Sequence, residues 1–358
     1  MKNVIFFFCI VILTLQALLT NALASDLEPV VRLDGYWKFN IGDNMNWAKP
    51  AYDDSDWDDL RVPGSWEDQG YVGYDGYAWY RKKIMVPETS SDKQLYIELG
   101  HIDDVNQVFI NGHEVGKLGV FPPDYVTAYD APLTYYIPKG YINFGAENIV
   151  AVRVYDDYER GGIYDGDLFI GYDLYAKYLD YDLSGNWKIF FTNEENNSFA
   201  GDEIELHDIR VPSCWEIQGY AEYDGYAGYI RTFSVPKELE NESLYISLGK
   251  IDDKDKVYIN RKYIGSVKDM YSTSFGKGRY NGGDWQIRRV YKIPKGVLKP
   301  GEKNSIIILV HDEGGVGGIH EGPIGLMTYG NYKEYEDAFD DGSYHYSNFV
   351  EFLIDVLD

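Results

Sequence analysis

The chain has 358 residues, 58 of them acidic and 33 basic, for a formal charge of −25. That balance repels phosphate backbones and anionic lipid surfaces, which excludes nucleic acid as the expected partner. The two cysteines are Cys9 and Cys214, and with Cys9 in an N-terminal leader neither a disulfide framework nor a multi-cysteine zinc site is expected.

In chain order, Lys2 precedes an apolar run from Val4 to Leu19, then Ala22-Leu23-Ala24 before Ser25. This pattern predicts a cleavable secretory signal over residues 1–24 and a secreted or periplasmic protein. The run is short of the roughly 20 apolar residues a membrane span needs, so no membrane anchor is expected. Next comes a duplication. Arg61-Val-Pro-Gly-Ser-Trp-Glu-Asp-Gln-Gly-Tyr71 returns as Arg210-Val-Pro-Ser-Cys-Trp-Glu-Ile-Gln-Gly-Tyr220, and 26 of the 50 positions from Val62 to Asn111 are identical 149 residues later. Later matches fall 156 residues apart, so the second copy carries seven extra residues between Ile264 and Tyr291. Such self-similarity makes two similar units the expectation.

Within each copy apolar residues alternate, as in Leu95, Ile97, Leu99 and Val150, Val152, Val154, with Leu244, Ile246, Leu248 and Ile306, Ile308, Val310 as their counterparts. Period two predicts half-buried strands. Asn111-Gly112 and the prolines Pro87, Pro138, Pro236 and Pro294 supply turn chemistry. The fold class expected is all-β, two tandem antiparallel jelly-roll sandwiches. The boundaries read as 1–24 signal, 25–173 first sandwich, 174–331 second sandwich and 332–358 C-terminal tail. The short acidic, tyrosine-rich joint from Asp173 to Asp182 suggests a fixed orientation of the two. The tail end from Phe349 to Leu357 reads as a small helix or an added strand.

The ordered set Val-Pro-x-x-Trp-Glu, Tyr-Asp-Gly-Tyr-Ala-x-Tyr, Leu-Gly-x-Ile-Asp-Asp, Ile-Asn, Gly-x-x-Asn and Asp-x-x-x-x-Gly-Gly-Ile occurs in both copies. It resembles the sugar-binding, galactose-binding-like jelly-roll domain of family 2 glycoside hydrolases, most closely the version inserted in sialate O-acetylesterases. That resemblance implies an accessory sandwich beside a catalytic module. These 358 residues leave no room for a (β/α)8 barrel of about 250 residues, and they hold no Gly-x-Ser-x-Gly elbow. What carries over is a binding fold, with no catalytic residues assigned.

Sugar recognition pairs flat aromatic faces with carboxylates that take hydroxyl hydrogen bonds. The 34 tyrosines, 8 tryptophans and 16 phenylalanines exceed what two cores seem to require. The candidate ligand contacts are Trp66, Tyr74, Asp75, Tyr77 and Asp156 in the first copy and Trp215, Tyr223, Asp224, Tyr226 and Asp312 in the second, with the Asp75 and Asp156 loops and their counterparts implied by the resemblance. For each, a purely structural role in building the sandwich is the competing reading. Gly228 replaces Trp79 in the second copy, which predicts unequal sites. No cofactor is assigned and the metal content is open. The pairs Asp103-Asp104 and Asp252-Asp253 offer calcium-type oxygen ligands or simple Asx turns. His311, Asp312, Glu313, His320 and Glu321 offer a mixed nitrogen and oxygen metal set or plain polar surface. Lys268, Lys277, Arg279, Arg288 and Arg289 form a basic patch, read as an acidic-sugar contact or a solvated loop. The expected function is therefore an exported carbohydrate-binding protein accessory to glycan degradation. Its alternatives are a divergent hydrolase or esterase with a site between the domains, and a structural module for a separate catalytic subunit.

Overall fold

The computed structural model describes residues 26–128, 134–192, 204–221, 223–276 and 283–339. The signal segment, Lys277, Arg279 and the stretch from Phe349 to Leu357 lie outside them.

Ten strands build the first copy: β1 (Leu27–Arg32), β2 (Gly35–Ile41), β3 (Asp58–Val62), β4 (Gly76–Met85), β5 (Leu95–Asp103), β6 (Val105–Ile110), β7 (His113–Leu118), β8 (Thr134–Ile137), β9 (Glu147–Asp156) and β10 (Gly162–Asp173). Ten more build the second: β11 (Tyr181–Asp182), β12 (Gly185–Thr192), β13 (His207–Val211), β14 (Gly225–Ser234), β15 (Leu244–Asp252), β16 (Lys254–Ile259), β17 (Lys262–Ser266), β18 (Arg288–Lys292), β19 (Lys303–Asp312) and β20 (Gly318–Thr328). Helix α1 (Tyr329–Phe339) follows. Each copy pairs a six-stranded sheet with a four-stranded one. The orders are β3-β2-β4-β9-β6-β7 with β1-β10-β5-β8, and β13-β12-β14-β19-β16-β17 with β11-β20-β15-β18. The topology repeats strand for strand, and every ladder between these strands is antiparallel. The chain is thus two tandem antiparallel jelly-roll β-sandwiches.

Alternation explains the inner layers: Leu95, Ile97 and Leu99 meet Val150, Val152 and Val154 in one core, and Leu244, Ile246 and Leu248 meet Ile306, Ile308 and Val310 in the other. In the first copy the outer face of the six-stranded sheet is covered as well, by Trp47 and Trp57 packed on Trp79, Phe109 and Ala151. Trp79 is fully buried, stacks on Phe109 at 5.7 Å and donates its indole N–H to Asp43. The Trp79/Gly228 difference therefore changes what covers a sheet, and not a ligand site. At Gly228 an added Cβ would meet the Phe190 ring at 2.1 Å.

The copies are in direct contact. Ile217, from a single 3-10 turn (Glu216–Gln218) of the second copy, is buried in the core of the first, with Cys214 packed beside it. Arg210 donates to the carbonyl of Val115 at 2.8 Å. Helix α1 closes the far side, where its buried Tyr335 meets the joint residues Tyr175 and Tyr178 and the second copy's Phe275. Among the described residues no helix is long and apolar enough to cross a membrane.

Candidate functional site

Most motif residues have structural partners. The indoles of Trp66 and Trp215 donate to the carbonyls of Tyr74 and Tyr223, and both rings are 0% exposed. Gly161 and Gly317 lie flat on them, so an added Cβ would sit 2.1 Å from each ring. Glu67 and Glu216 accept the amides of those same glycines. Gln69 and Gln218 clamp both backbone groups of Arg61 and Arg210 at the edge strands β3 and β13. Asn111 with Asn148, and Asn260 with Asn304, close the loop before β9 and β19 by amide pairs at 2.7 Å.

These placements correct the aromatic part of the sequence-based site. Trp66 and Trp215 are interior filling, because a ring without exposed surface offers no face to a sugar. Tyr74 and Tyr223 are half-buried, and their hydroxyls donate to the carbonyls of Tyr77 and Tyr226. The Tyr77 ring is covered by the Arg153 guanidinium at 4.7 Å and by Phe121, stacked at 5.8 Å. Tyr226 stacks on His311 at 3.9 Å. Asp75 and Asp224 are exposed. Pairing of Gly76 with Asp156 and of Gly225 with Asp312 sets each of these loops beside the end of β9 or β19, so the two acidic loops of each copy do meet.

The mixed histidine set of the second copy does not converge. His320 is half-buried, and desolvation of its imidazole lowers its pKa to about 4. Glu321 turns to Lys250 and Arg288 instead. Arg288 and Arg289 are both 0% exposed, which corrects the solvated basic patch: Arg288 also pairs with Asp26, and Arg289 with Asp255 at 3.0 Å.

Three carboxylates gather in each copy, Asp103, Asp104 and Asp156 in the first and Asp252, Asp253 and Asp312 in the second. Asp156 and Asp312 are 0% and 1% exposed. Burial, reinforced by neighbouring carboxylates, pushes Asp156 up to about 7, and Asp312 is raised for the same reasons. Asp103 rises to about 8 through burial and its contact with Asp104, and Asp252 rises to about 8 likewise through Asp253. Burial works against Asp104 too, but the hydroxyls of Thr127 and Tyr125, at 2.5 and 2.6 Å, outweigh it and hold this carboxylate below its ordinary value. One acid of the pair is thus kept charged and the other is driven toward its neutral form.

In the first copy Asp103 and Asp104 of this cluster line a cleft of about 640 Å³. Its walls carry Tyr125, Tyr158, Tyr164, Asp157, Glu159 and Arg160. Tyr158 is 72% exposed, and at the rim Arg160 faces Asp68 at 3.6 Å. None of these six was singled out as a contact from sequence. The signal that marks the rim is difference between the copies, Asp157-Tyr-Glu-Arg160 against Glu313-Gly-Gly-Val316. In the second copy the longer β17–β18 connection lays Arg289 against the cluster, donating to the Asp253 carbonyl at 2.6 Å. Between the copies runs a smaller groove of about 370 Å³ that includes Glu114, Lys117, Asp208 and Arg210.

Residues 42–159 match the family model described as the β-galactosidase second all-beta domain. Over this stretch the first copy is similar to an all-β domain of β-galactosidases. Among curated proteins, β-galactosidase BoGH2A of Bacteroides ovatus is 32% identical over 131 residues, covering 33% of this chain and 14% of that enzyme. A β-glucuronidase of Formosa agariphila is 26% identical over 157 residues, covering 38% of this chain and 14% of its own length. The chain therefore spans only a small part of these relatives. Among solved structures, a β-glucuronidase of Bacteroides uniformis aligns over 81% of this chain and 28% of its own, with 15% identity and a TM-score of 0.36.

Proposed function

We propose that the chain is an exported carbohydrate-binding protein, accessory to glycan degradation, that holds its ligand in the acidic cleft of the first copy. The observation that carries this reading is the cleft itself: the exposed Tyr158 and the carboxylates of Asp103 and Asp104 line one hollow of about 640 Å³, within the range of small-molecule sites. Relatives named as β-galactosidase and β-glucuronidase support a saccharide as the class of ligand. Export rests on the leader sequence, and N-terminal sequencing of protein recovered outside the cytoplasm should begin at Ser25.

The binding test is affinity electrophoresis and array binding with neutral and acidic glycans. Retention is expected, and Tyr158→Ala should weaken it by about tenfold, the worth of one aromatic face. Failure of every glycan to bind at millimolar concentration sinks the proposal. One ligand per chain is expected, because a second reading, a structural role, fits the second copy: Gly314 and Gly315 stand where the first has Tyr158 and Glu159, and the buried Arg289 donates to the Asp253 carbonyl.

A further inference from the structure

Most motif residues of the two copies satisfy their polar atoms internally; the buried exceptions among them are Glu216 Oε2, the Tyr80 and Tyr229 hydroxyls and one carboxylate oxygen in each three-aspartate cluster. One oxygen of Asp156 accepts the amide of Tyr158 and one oxygen of Asp312 accepts that of Gly314. The other, Oδ2 in both, is buried and meets no hydrogen-bond donor. These two carboxylates are 0% and 1% exposed, so bulk solvent does not reach them. Buried acceptors in native proteins are matched by a donor or an ion in nearly every case. Here the same atom is left over twice, at equivalent positions of the repeat.

Each aspartate of a cluster also has an oxygen within 4.8 Å of those of the other two. Two oxygens on opposite sides of one calcium ion, at about 2.4 Å each, stand about that far apart. Asp104 already accepts from Tyr125, Thr127 and the amide of Asp157, contacts that orient it while leaving lone pairs for a cation. The gathered donors are all carboxylate oxygens, which suits a hard divalent cation over zinc.

We propose that each copy binds one divalent cation of the calcium class, held by Asp103, Asp104 and Asp156 in the first and by Asp252, Asp253 and Asp312 in the second. The first site opens to the cleft, which lets water complete the coordination. The second is weaker by about tenfold, because the Arg289 guanidinium already brings positive charge to the Asp253 backbone. At the repeat position the first copy has Leu133. The cations stand on the acid clusters alone and not on the carbohydrate reading, so the test uses no glycan.

Native mass spectrometry of the full chain in calcium should find two bound ions. Asp156→Asn and Asp312→Asn, which keep the acceptor for the loop amide, should each lose one ion, and the double variant should lose both. The thermal midpoint of the unsubstituted protein should rise by roughly 5 °C at a hundredfold excess of calcium over Kd. Should a variant fail to fold, terbium luminescence of the unsubstituted chain, sensitised by Tyr125, must appear and be displaced by calcium. No ion at millimolar calcium, two ions retained in the double variant, or no displaceable terbium emission each overturns the proposal. A single ion lost only with Asp156→Asn overturns it for the second copy.

Discussion

At Gly161 the absence of a side chain is a packing requirement, since the Trp66 ring occupies the space a methyl would take. Gly161→Ala should destabilise the protein by about 1–3 kcal/mol in chemical denaturation, the usual range for overpacking, with Gly317→Ala costing a similar amount against Trp215. An unchanged midpoint in both would contradict the burial of those indoles. This residue pair also explains why a site was hard to read from the chain. Self-similarity selects what both copies keep, and what both copies keep is mostly scaffold: the indole, the glutamate that holds the glycine loop, the glutamine clamp and the asparagine pair. Tyr158 and Arg160 differ between copies, so a search for repeats passes over them. Asp156 and Asp312 belong to the shared set, yet each has an oxygen that the scaffold does not use.

At the scale of elements, the strands were legible because period-two burial is a local signal, and every alternating run singled out lies in a strand. The extra residues between β17 and β18 were legible as an insertion, but not their consequence, because a basic cluster on a loop reads as solvated until the register of β15 against β18 is known. That register pairs Gly249 with Arg289 and draws the arginine inward onto Asp255. In the first copy the corresponding polar contact is Tyr135 to Asn106, at 2.5 Å, with no charge. Tyr291 donates to Asp255 in the same way at 2.6 Å. Breaking a buried pair from one side leaves an uncompensated charge and costs about 3–5 kcal/mol, so Arg289→Leu alone should be severe. The double change Asp255→Asn with Arg289→Leu restores the neutral combination of the first copy and should recover a large part of that loss, measured as a double-mutant cycle.

For the whole molecule, the short joint implied a fixed orientation, and Ile217 packs into the neighbouring core. Its depth was not legible, because the same repeat position is Asp68 in the first copy, an exposed residue facing Arg160. Ile217→Ala should cost about 2–5 kcal/mol, and calorimetry should then resolve two melting steps where the native chain gives one. A single cooperative transition in the variant would mean that the sandwiches are coupled chiefly through Arg210, Arg288 and α1.

The contrast between Ile217 and Asp68 also bears on assembly. A face that inserts an apolar plug into the next like unit is heterologous, and such contacts run on into open filaments when every unit carries both halves. The charged residue at the plug position of the first copy withdraws one of those halves, much as polar end caps terminate solenoid arrays. Head-to-tail growth of this kind would need an apolar plug on the first copy, where the chain has the exposed Asp68.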